Sequence, residues 1–156
     1  MIGLQITAKD VKAAKLVKPG WYATKITDLK NEVGKDKESE NFIAEVEGME
    51  GDAQGVPAAG VFPEKYPQLA IAYVNATGRA MGINKAADEE KGLDPLYRFE
   101  AAKGLVVYAQ WGTWRGKDGS EKPRNNITDW APLPTEHPMN SMNVSSNVSE
   151  APASFA

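Results

Sequence analysis

Three tryptophans, Trp111, Trp114 and Trp130, share one polar stretch, WGTWRGKDGSEKPRNNITDW, with the cations Arg115, Lys117, Lys122 and Arg124. Rings beside Lys and Arg suit the binding of a nucleic-acid strand, in which the rings stack on flat bases while the cations neutralise phosphates. Each stacked base contributes ~1–3 kcal/mol, and every base has a face to stack, so such a surface need not read a sequence. Tyr22 and Lys25, in a second basic stretch near the start, extend the same set. The competing role is structural, because a tryptophan buries a large apolar area when it faces a core. On a regular strand, residues an odd number apart face opposite sides. Trp111 and Trp114 differ by three, so one is expected inside and one outside, unless a bulge at Gly112 turns both the same way. The same parity separates Ile127 from Trp130.

Other chemistry has little to build on. The chain has no cysteine and a single histidine, His137, in a stretch rich in Pro, Ser, Asn and Met. A histidine-based triad on a rigid scaffold is therefore not expected, and a zinc site would need carboxylates almost alone. Gly112-Thr-Trp-Arg-Gly116-Lys117-Asp118 falls short of a phosphate-binding loop: three residues separate the glycines instead of four, and Asp stands where Ser or Thr would hold magnesium. Asp88-Glu89-Glu90 reads as a solvated acidic connection rather than a cation site. The expectation is a protein without catalytic residues, metal or cofactor.

The elements that must position these residues follow from pattern. Trp21 to Asn31 is rich in Thr, Ile and aromatics, as strands are. Asn41 to Glu47 alternates, with Phe42, Ala44 and Val46 on one face and Ile43, Glu45 and Glu47 on the other. Val56 to Phe62 is a third extended segment, and Pro57 confines it to an edge or a strand start. Leu69, Ala72, Tyr73, Ala76 and Ala80 then keep helical spacing, with Pro67 in the first turn and Gly82 at the end. Asn84 to Pro95 is a long connection, and Tyr97 to Lys103 a short helical turn closed by Gly104. Leu105 to Trp114 and Asn125 to Ala131 form the last hairpin. Three strands, a helix and two strands is the order of an OB-fold, a mainly β, five-stranded Greek-key barrel with one helix between strands 3 and 4. Residues 1–131 are expected to form this one domain, and residues 132–156 a disordered tail too poor in large apolar side chains to order itself.

Length and composition agree with a single soluble domain: 156 residues, 42% hydrophobic and 25% charged. No apolar run is long enough for a membrane span, and the first residues lack the pattern of a secretory signal, so a cytoplasmic protein is expected. The net charge of −3 hides an asymmetry: residues 1–30 carry +4, residues 31–100 carry −7, and residues 101–131 carry +2. If the two basic regions are neighbours, they make one positive patch on an acidic protein.

Over roughly residues 18–132 the sequence resembles the phage-encoded single-stranded DNA-binding proteins with an OB-fold. The resemblance is carried by KPGWYATKITDLK, ENFIAEVEG, AAKGLVVYAQW and the closing WRGKDG…RNNITDWAPL. It implies coating of exposed strands during phage DNA replication and recombination in the host cytoplasm. It also implies partners: single-stranded DNA, and replication or recombination proteins recruited by an acidic tail with a terminal aromatic. Here the tail keeps Phe155, with Glu150 as its one nearby acid, a departure from that pattern. The alternative is a structural or virion-assembly protein whose hairpin packs on another subunit. Oligomeric state stays open.

Overall fold

The computed structural model describes residues 3–33, 40–116, 118–141 and 143. In chain order the elements are α1 (Ala8–Ala13), β1 (Gly20–Val33), β2 (Glu40–Gly48), β3 (Pro57–Pro63), α2 (Ile71–Ala80), the two-residue β4 (Ala87–Asp88) and β5 (Gly92–Leu93), β6 (Val106–Trp114) and β7 (Arg124–Ala131). Five of the strands form one antiparallel sheet in the order β3-β2-β1-β6-β7. The expected mainly β sheet with one principal helix is therefore present, and β3, which begins at Pro57, lies at its edge. The expected loop at residues 34–40 falls, but for Glu40, outside the described residues.

Alternation decides what the sheet buries. On its inner face Ile26, Ala44, Val46, Phe62, Val107, Ala109 and Trp111 form the core. α2 covers that face with Tyr73, Val74, Ala76 and Thr77. Leu69, expected on the apolar stripe of this helix, instead sits in a 3-10 turn over Pro67–Ala70 and is exposed, because the tighter turn precedes the register of the α-helix. The connection Asn84 to Pro95 is not plain loop: β4 and β5 pair across a turn in which Asp88 Oδ1 accepts the N–H groups of Glu90 and Lys91.

The sheet's hydrogen-bonded ladder is open, since β3 and β7 share no pairing among the described residues. Their side chains nevertheless meet across the inner face. Trp130 packs on Phe62 at 6.0 Å and edge-on against Tyr73 at 4.9 Å. Gly60 is the contact point: a Cβ there would stand 2.5 Å from the Trp130 ring, so only glycine lets β7 approach β3 this closely.

The outer face of β1 and β6 is also covered, by part of the segment expected to be a tail. Leu133 and Met139 pack with Ala23, Val106 and Tyr108. Where β7 ends opposite Tyr108, the Asn143 side chain continues the ladder: its amide donates to Val106 O and accepts from Val106 N, both at 2.7 Å. His137 Nδ1 accepts the Met139 N–H, so the ring proton sits on Nε2 and donates to Glu50, whose other oxygen accepts the Ala23 N–H. Residues 132–141 and 143 thus belong to the folded body, which corrects the boundary placed at residue 131. A few apolar residues and one amide suffice here because the sheet supplies the rest of the surface. The expectation for residues 144–156 lies outside the described residues.

Candidate nucleic-acid interface

Register sorts the expected site residues into two groups. Trp111 pairs with Ile127 and faces inward; its ring is 1% exposed, and its Nε1–H donates to the buried Thr24 hydroxyl at 3.1 Å. Trp130 is 6% exposed between Phe62 and Tyr73. Both are core residues, so neither stacks on a ligand in this structure, which corrects their assignment to the binding set. Tyr22 faces the same way: its ring lies edge-on to Trp111 at 6.5 Å and its hydroxyl donates to Lys18 O, so it too is occupied structurally.

Trp114, three residues beyond Trp111, points to the outer face and is 38% exposed, as parity without a bulge at Gly112 requires. The irregularity lies in β7 instead. Gln110 pairs with Asp129 and Trp111 with Ile127, so Thr128 is the extra residue. Its hydroxyl donates back to Gln110 O. That one-residue insertion turns both Ile127 and Trp130 inward, although simple alternation puts them on opposite sides.

The outer face carries an aromatic that the sequence pattern did not single out. Trp21 pairs with Gln110 and is 40% exposed, tilted against Tyr108 at 6.4 Å. Tyr108 in turn meets the His137 ring edge-on at 5.7 Å. Parity held the signal: Trp21 and Tyr22 are adjacent, so if Tyr22 packs inside, Trp21 must be outside. Trp114, Gly112 and Gln110 lie along this face, placing Trp21 about 14 Å from Trp114, and over the glycine between them lies the Thr128 methyl, 3.2 Å from where a Cβ would stand. The result is a row of Trp114, Trp21 and Tyr108 along one side of the sheet.

The cations gather at the Trp114 end. Arg124 is the direct cross-strand partner of Trp114, and Arg115 follows it in chain. Arg115, Lys122 and Arg124 are exposed, and none is in an ion pair among the described residues. Of the three acids nearby, Glu121 lays its carboxylate over Gly116 and the other two are turned to local work. Asp118 accepts from the Ser120 hydroxyl and N–H, which hold its carboxyl below the ordinary range, and Asp129 caps the Trp130 N–H. Gly116, at φ +83°, makes the turn that closes the hairpin, with Glu121 N–H bonded to Arg115 O. Lys117 lies outside the described residues. Lys25 is not part of this patch: it pairs with Val106, eight positions along β6 from Trp114, about 27 Å away. The two basic sequence regions do meet, because Asn125 of β7 holds the backbone of Lys15 and Val17.

Among the described residues no three carboxylate or imidazole groups converge as a metal ligand set would. None of the helices there is long and apolar enough to cross a membrane. A scan against protein-family models found no match, and neither did a search of curated proteins.

Proposed function

We propose that this protein binds single-stranded DNA without catalysing a reaction, laying the bases on Trp21 and Trp114 and the phosphates along Arg115, Lys122 and Arg124. The observation that carries this reading is a pair of large exposed tryptophans on one sheet face beside cations that have no ion-pair partner among the described residues. Rings left in water at this cost are best accounted for by a flat apolar partner, and cations left without carboxylates by a polyanion. The strand order, and the approach of β7 to β3 through Trp130 and Gly60, support an OB-like barrel with Greek-key connections as the scaffold. The role that fits is coating of exposed strands during phage DNA replication and recombination, in the host cytoplasm.

The test is a titration of intrinsic tryptophan fluorescence with oligo-dT. Quenching is expected at low salt. The logarithm of affinity should fall with the logarithm of salt with a slope of about −2 for three phosphate contacts. A salt-insensitive association with another protein, and no quenching by the oligonucleotide, would favour the virion-assembly alternative instead.

A further inference from the structure

At the end of β1 away from the hairpin, the structure opens an apolar groove of about 980 Å³. Phe42, Phe62, Ile71, Val74, Leu93 and Phe99 form its walls. It continues past Phe99 between Asp28 and Lys103. The rim is acidic. Its cations are spoken for: Lys85 pairs with Asp88, Lys103 with Asp28, and Lys30 with Glu45, each at 3.6 Å. Glu64, Glu89 and Glu100 have no cation partner among the described residues. A nucleic acid strand is excluded there by charge. An occupant needs apolar side chains and net positive charge.

The chain itself carries such a segment. Residues 3–15 present Leu4, Ile6 and Val11 at 92, 68 and 62% exposure, together with Lys9 and Lys12 against the single acid Asp10, Lys15 being paired with Asp52. α1 is a made helix, closed by a capping box between Thr7 and Asp10, yet it buries none of its residues. Within α1 the Lys12 side chain touches the body, over Gly55, and the firm ties lie behind the helix, where Asp52 bonds Lys15 and the Lys18 N–H and Asn125 holds the backbone of Lys15 and Val17. An ordered helix with every apolar side chain in water lacks its partner surface.

We infer that this arm docks into the acidic apolar groove of a second copy of the chain. The groove of a second copy is the more accessible one. From Gly20, near the arm's anchor, to Asn31 at the groove runs about 36 Å along β1, whereas the arm with α1 intact spans roughly 25 Å. Arm and groove are different surfaces, so the contact is heterologous and repeats head to tail, as a ring or an open chain according to the rotation between copies. The groove lies away from the Trp21 and Trp114 face, so assembly leaves that face free. If the DNA-binding reading holds, each bound copy then recruits the next along the strand.

Sedimentation of the full-length protein without DNA tests this. Wild type should grow in mass with concentration. Two variants, Leu4→Glu with Val11→Glu on the arm and Ile71→Lys with Leu93→Lys in the groove, should each self-associate at least about tenfold more weakly. Mixed together, they should form a one-to-one dimer and nothing larger, because one intact arm meets one intact groove. Melting temperatures check that each variant folds. Should the groove variant unfold, Glu64→Lys with Glu89→Lys, both at exposed positions, replaces it in the same mixing experiment. A wild type that stays monomeric up to about 1 mM, an arm variant that associates as wild type does, or a mixture without heterodimer overturns the inference. No DNA is present, so failure of the DNA-binding reading would leave these outcomes unchanged.

Discussion

Trp111 and Trp114 are three residues apart and do opposite work. Trp111 fills the core on the inner face of the sheet and bonds Thr24, so Trp111→Ala should cost about 3–5 kcal/mol of folding stability by denaturant titration. Trp114→Ala should leave the denaturant midpoint nearly unmoved, since its ring is 38% exposed and packs on no other ring among the described residues. Tyr73 offers a second residue-scale test. Its phenol is fully buried, burial pushes its pKa upward, and its hydroxyl has no partner among the described residues. Tyr73→Phe keeps the ring contacts and removes the unpaired group. Stability should stay level or rise by up to about 1 kcal/mol, and a clear loss would reveal a partner for the hydroxyl. Parity was legible in the sequence for the Trp111–Trp114 pair, because β6 runs without interruption. It failed for Ile127 and Trp130, because a one-residue bulge at Thr128 leaves no mark in a run of ordinary strand residues.

The segment from Pro132 onward shows what composition alone hides at the scale of elements. Polar and proline-rich, it builds no core of its own, yet it adds Leu133 and Met139 to a face that β7 is too short to cover. Asn143→Ala would leave the Val106 N–H and C=O unpaired in a buried site and should cost about 1–3 kcal/mol, read as a lower melting temperature. An unchanged melting temperature would mean that the Asn143 bonds to Val106 contribute nothing to stability. The arm is held by a different device. Asp52 has its carboxyl drawn below the ordinary Asp value of 3.8, first by the Lys18 N–H and then by Lys15. A depressed folded pKa means the tie is complete above the ordinary value and is lost as pH falls through the lowered one. Proteolysis within residues 3–15 by an acid-active protease should therefore accelerate only below about pH 3.8, whereas Asp52→Ala should loosen the arm at neutral pH and leave it held by Asn125. Equal cleavage of wild type and variant at neutral pH would show that Asp52 does not hold it.

For the whole molecule, element order was the most legible feature. Strand composition, the alternation of β2 and the helical period of α2 announced the main elements, and the β1–β2, β2–β3 and β6–β7 pairings join chain neighbours, whereas β1–β6 joins strands far apart in sequence. The site was legible only in part. Cations at the hairpin tip stand out in sequence, but the partner aromatic, Trp21, comes from the first strand, far away in the chain, and is brought alongside Gln110 only by the β1–β6 pairing. The central claim is that DNA lies across this face. The most direct measurement is oligo-dT affinity of the Trp21→Ala, Trp114→Ala double variant beside wild type, with melting temperatures recorded for both. With ~1–3 kcal/mol lost per ring, the variant should bind at least about thirtyfold more weakly while melting as wild type does. A double variant that folds normally and binds oligo-dT as tightly as wild type, or a wild type that does not bind it at low salt, would contradict the account.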